Sequence, residues 1–99
     1  MKIYDKAQWH IDAGENKEIV VAKFQAVYVF LQNKGLLSDE GREIYELGID
    51  GSISLNERMV TDAGGKFLER FYDEVIDFSE IQITQELEKK YSVFVSEKE

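Results

Sequence analysis

The sequence predicts a mainly α fold, a compact bundle of four to five helices forming one domain over residues 1–99. Three observations predict it. Several segments carry apolar residues at the helical period, capping residues open those segments and glycines close them, and 99 residues supply one core where two would each be marginal. With 43% hydrophobic against 32% charged residues, the chain can both fill that core and solvate its surface. The pattern also leaves room for a short two-stranded β element involving the N-terminal arm or the C-terminal tail.

Residues 1–14 read as an N-terminal arm or short helix. Tyr4, Trp9 and Ile11 would anchor it, and Asp12-Ala13-Gly14 would end it in a turn. Asn16 can cap a helix from Lys17 to about Asn33, with Gly35 as its left-handed stop. Val20, Phe24, Val27, Tyr28 and Leu31 form one face, and Ile19, Ala22, Ala26, Val29 and Phe30 widen it almost all round, so this helix should be central. Ser38 then caps a helix with an acidic first turn that runs to about Leu47, where Gly48 ends it. Ile49 to Ile53 reads as a turn. Ser54 with Glu57 fits a capping box that would start a helical turn through Met59.

Thr61 and Asp62 open the most regular helix, which should reach about Phe78 with Phe67, Leu68, Phe71, Tyr72, Val75 and Ile76 as its core stripe. A last helix begins at Ser79 or Thr84 and covers Leu87 to Tyr91. Tyr91-Ser92-Val93-Phe94-Val95 alternates, so this stretch fits either continued helix or a strand against the arm. Residues 96–99 should fray.

Composition narrows function. Without cysteine there is no disulfide framework, no thiolate nucleophile and no sulfur-ligated metal. The start Met1-Lys2-Ile3-Tyr4-Asp5-Lys6 leads into no apolar run, so the expectation is a cytoplasmic protein. Ile19 to Leu31, the most apolar stretch, is interrupted by Lys23 and Gln25 and falls short of the roughly 20 residues that cross a bilayer. A net charge of −8 opposes binding to nucleic acid and would steer a basic partner toward the chain.

Chemistry-bearing motifs are sparse. His10 is the sole histidine, with Asp5 and Asp12 as its nearest candidate partners in sequence, and packing or a satisfied hydrogen bond is its expected role. The serines have no nucleophile-elbow context, and Gly64-Gly65-Lys66 lacks the spacing of a phosphate loop. Asp50-Gly51-Ser52 with Glu57 lacks the spaced ligands of a calcium loop. Neither a metal nor a cofactor is therefore expected.

The acidic residues are more informative. Glu69, Asp73 and Asp77 recur at four-residue steps, with Glu74 and Glu80 beside them, although like charges at that spacing cost an isolated helix about 0.2–0.5 kcal/mol per pair. The pattern reads either as a solvated face or as a carboxylate strip for Lys or Arg on a partner. Asp39, Glu40, Glu43 and Glu46 form a second acidic group, explained in part by the helix dipole.

The opening Tyr4-Asp5-Lys6-Ala7-Gln8-Trp9-His10 resembles the YDKAxWH start of a bacterial family of small acidic proteins of unknown function. Phe30-Leu31, Asn33-Lys34-Gly35-Leu36-Leu37, Leu55-Asn56, Gly65, Phe67 and Tyr72 extend the likeness across most of the chain. The resemblance implies a cytosolic protein of the kind suspected to be an immunity protein for a secreted polymorphic toxin. It also marks Tyr4, Asp5, Trp9 and His10 as a motif of unknown role.

The leading expectation is a non-enzymatic, immunity-type protein that neutralises a basic toxin domain, with a nuclease as the specific expectation. Glu69, Asp73, Glu74 and Asp77 are its partner-binding candidates, and Asp39, Glu40 and Glu43 are a second patch. Two alternatives remain open at this point. One is a small enzyme or ligand-binding domain centred on Trp9 and His10, for which a deep pocket would be the sign. The other is a homodimeric adaptor with an exposed apolar patch including Tyr45, Phe78 or Phe94, so monomer and dimer are both open.

Overall fold

A computed structural model describes residues 1–98, with the side chains of residues 1–97. In order along the chain come β1 (Ile3–Lys6), α1 (Ala7–Asp12), α2 (Lys17–Asn33), α3 (Asp39–Leu47), β2 (Ser54–Asn56), a 3-10 turn (Glu57–Met59), α4 (Asp62–Val75) and α5 (Ile83–Lys98). The described residues thus form a mainly helical fold of five helices, with β1 and β2 paired antiparallel. A register shift falls between Ile3 and Asp5, where one strand carries an extra residue.

The helix ends follow local chemistry. Asn16, Ser38 and Thr61 accept hydrogen bonds from the backbone N–H of Ile19, Gly41 and Gly64, which would otherwise lack partners in the first turn. Gly35 and Gly48 take positive φ values of 69° and 107°, which a side chain would strain. α2 is central, burying Val20, Phe24, Val27, Tyr28, Phe30 and Leu31. Both α1 and α5 pack on it, and α4 packs on α5 and β1. Around the far end of α2, the rings of Phe30, Phe67, Phe71, Tyr91 and Phe94 interlock edge-on or tilted, with Phe67 and Phe94 centroids 5.4 Å apart.

Two close backbone approaches use the absence of a side chain. A Cβ on Gly41 would fall 2.0 Å from the Met59 carbonyl oxygen, and one on Gly64 would fall 2.7 Å from that of Leu36. These contacts seat α3 against the 57–59 turn and α4 against the residues after α2. The Ser38 N–H to Met59 carbonyl and Thr61 N–H to Leu36 carbonyl hydrogen bonds close the same junction.

Several expectations are corrected. Ser54 caps nothing: it lies in β2, and Asn56 accepts from the Arg58 N–H to open the 3-10 turn. α4 stops at Val75 rather than Phe78. There the Lys23 ammonium donates to the Ile76 carbonyl at 2.6 Å, so the lysine that interrupts the apolar stretch of α2 satisfies a helix C-terminus. The arm pairs with β2 and not with the tail, because residues 91–95 are helical. Leu87 and Phe94 turn inward with half-buried Tyr91, while Val93 and Val95 face out, so the apparent alternation is one face of a helix. α5 continues to Lys98, and Glu99, the last residue of the stretch 96–99 expected to fray, lies outside the described residues.

Candidate functional site

Buried charge needs partners, and Asp5 is 2% exposed. β1 points its carboxylate inward. There Oδ1 accepts the Lys6 N–H at 2.8 Å, and Oδ2 accepts the Tyr72 hydroxyl of α4 at 2.7 Å. One turn into α1, His10 aims Nε2 at the same carboxylate, 2.8 Å from both oxygens, while its Nδ1 lies 2.8 Å from Glu15 Oε2. The arm and the α1–α2 connection are thereby tied to one imidazole, and the arm and α4 meet at one carboxylate.

Electrostatics supports this clasp. Burial pulls the His10 pKa down, but hydrogen bonds and charge from Asp5 and Glu15 outweigh it and hold the group above its ordinary value. In the protonated state both ring N–H groups donate, one to each carboxylate. The Tyr72 hydroxyl is pushed well above its ordinary range, first by burial and then by the Asp5 charge, so it stays a donor. Every buried side-chain polar atom among the described residues has a partner.

The surrounding hollow is lined by Val20, Lys23, Phe24, Tyr72 and Ile76 as well as the clasp, yet its volume is only about 10 Å³. That is about the room one water needs. A ring with a carboxylate on each nitrogen has no free lone pair to take a substrate proton, so the geometry suits fastening better than general-base chemistry.

The opening motif therefore divides. Asp5 and His10 form the clasp. Trp9, 52% exposed, points out of it with the Lys6 ammonium 5.9 Å from its ring centroid. Tyr4 lies half-buried beside Lys2 and Gly65. Glu15 and Tyr72 were not expected as partners: Glu15 lay in a polar stretch without pattern, and Tyr72 fitted the core stripe completely. Asp12 accepts from the Gln8 amide at 2.7 Å instead of from His10.

The acidic groups also divide. On α4, Glu69 pairs with Lys2 at 3.0 Å and Glu74 with Lys90 at 3.3 Å. Asp73 and Asp77 are exposed and make no ion pair among the described residues, and Asp77 lies past the end of the helix. The intended strip is thus partly neutralised and interrupted. On α3, Asp39 pairs with Arg42, while Glu40, Glu43 and Glu46 are exposed without an ion pair among the described residues.

The three residues named for a dimer-forming apolar patch are not all exposed. Phe94 lies in the core, and Tyr45 and Phe78 pack partly buried against it. Among the described residues, no helix is long and apolar enough to cross a membrane, and no group of three or more His, Asp or Glu side chains is placed to hold a metal ion. Comparison with protein-family models, with curated proteins and with solved structures gives no match.

Proposed function

We propose that the chain is an immunity-type binding protein that covers a basic toxin domain with its acidic surface. The observation that carries the reading is the uncompensated carboxylate face of α3, where Glu40, Glu43 and Glu46 stand exposed with no basic partner among the described residues. Asp73 on α4 and Asp77 just beyond its end add further exposed charge of the same sign. A net charge of −8 gives such faces a field that steers a basic partner and raises its association rate. The residues engaged are Glu40 and Glu43 with Asp39, and Asp73 and Asp77 with Glu69 and Glu74 at the edges of the contact. A nuclease is the specific expectation, because a surface built to bind phosphates carries Lys and Arg.

The geometry of the clasp supports binding over catalysis. His10, the group best suited to acid–base work, is saturated by Asp5 and Glu15 beside a hollow about the size of one water. The test is inhibition of a basic nuclease domain encoded beside this chain. An equimolar mixture should elute as one complex and lose nuclease activity; full activity at saturating inhibitor overturns the reading.

A further inference from the structure

Between α3 and β2 lies a groove of about 390 Å³, the size of a site that takes one or two large side chains. Ile44, Ile53 and Met59 give it an apolar floor, Leu47 forms one bank, and Asp50 and Ser52 lie on the other. Leu47 is 84% exposed at the end of a helix whose other apolar residues pack inward, so it contributes nothing to the core. On α3 it shares a stripe with Glu40 and Glu43, at i, i+3 and i+7. Asp50 accepts from the Ser52 N–H and hydroxyl, which hold its carboxyl below the usual range. Among the described residues no Lys or Arg lines the groove; Lys17, within electrostatic reach of Asp50, lines the neighbouring hollow with Ile11 and Gly51.

We propose that this groove receives a cationic amphipathic helix of the partner, seating one large apolar side chain against Leu47 and Ile44 while flanking Lys or Arg residues meet Glu40, Glu43 and Asp50. The inference rests on the basic-partner reading above and specifies how that partner is gripped. Charge complementarity selects the occupant. A second copy meeting this face across a two-fold axis would set these carboxylates against their own equivalents, and a nucleic acid or anionic membrane would bring the same sign of charge. An apolar anchor in a partly walled site, ringed by charge that sets approach and register, is the usual division of labour at such a contact.

The test uses a synthetic Leu/Lys amphipathic peptide of about 18 residues, five helical turns. Two controls accompany it, one with every Lys replaced by Glu and one with every Leu replaced by Ser. Binding is followed by amide chemical shifts and calorimetry at low salt. Expected are shifts concentrated in residues 40–54 and at Met59. Leu47→Ala should weaken the Leu/Lys peptide about tenfold, and Glu40→Lys with Glu43→Lys should do so by at least as much. These side chains are exposed, so circular dichroism should show each variant folded. Shifts centred on α4, with Leu47→Ala neutral, overturn the groove and leave the basic-partner reading standing. Equal affinity for the Leu-free peptide overturns the apolar anchor. Preference for the anionic peptide overturns both proposals.

Discussion

Tyr72→Phe isolates one hydrogen bond in the clasp. The substitution keeps the buried ring and removes the hydroxyl that donates to Asp5 Oδ2 at 2.7 Å. Bulk water does not reach the vacated position, since Tyr72 and Asp5 are 4% and 2% exposed, and the adjoining hollow has room for about one water. A hydrogen bond to a charged group contributes about 1.5–3 kcal/mol, so the variant should lose about 2 kcal/mol. For a domain of this length that lowers Tm by about 10 °C. Urea unfolding followed by circular dichroism should show a lower midpoint with an unchanged slope. Combined with His10→Gln, the losses should be non-additive by at least about 0.5 kcal/mol, because both side chains serve one carboxylate. A loss below about 0.5 kcal/mol, or strict additivity, refutes the claim that Tyr72 and His10 jointly hold Asp5.

Two further outcomes follow from the packing and the clasp. Because the folded-state pKa of His10 is raised, its contribution to stability should be fully present below its unfolded value near 6.5 and be lost as pH rises through the folded value. Proton NMR of the sole imidazole reads that pKa directly, and a value at or below 6.5 would mean that burial outweighs the two carboxylates. Gly41→Ala should destabilise by about 2–3 kcal/mol despite improving helix propensity, since the new methyl meets the Met59 backbone. Thermal unfolding of that variant at or above the wild-type Tm would contradict the close approach of α3.

Features set by neighbouring residues were legible in the sequence, and those set across the fold were not. Asn16, Ser38 and Thr61 announce their helices because a cap acts within one turn, and Gly35 and Gly48 mark the stops for the same reason. Ser54 and Glu57 satisfied the same local rule, yet pairing with β1 drew Ser54 into a strand and left Asn56 as the cap. The tail was ambiguous because Tyr91 and Phe94 are compatible with both periods until Ile83 and Leu87 are joined to them on one buried face. In the site, Asp5 and His10 stood out as a motif, but Tyr72 lies 67 residues from Asp5 and carried only a core signal. The groove could not be read at all. Leu47 looks like a core position in a helical pattern, and only the placement of β2 beside Ile44 and Met59 leaves it on a rim.

The central claim is that charge on the α3 and α4 faces drives recognition of a basic partner. Association rates of the chain with a basic nuclease domain encoded beside it, measured across a series of salt concentrations, test this most directly. The rate for the wild type should fall steeply with salt, and Glu40→Lys with Glu43→Lys, or Asp73→Lys with Asp77→Lys, should slow association by at least about tenfold at low salt and flatten that dependence. A wild-type rate indifferent to salt, or charge-reversed variants that associate as fast as the wild type, would contradict it.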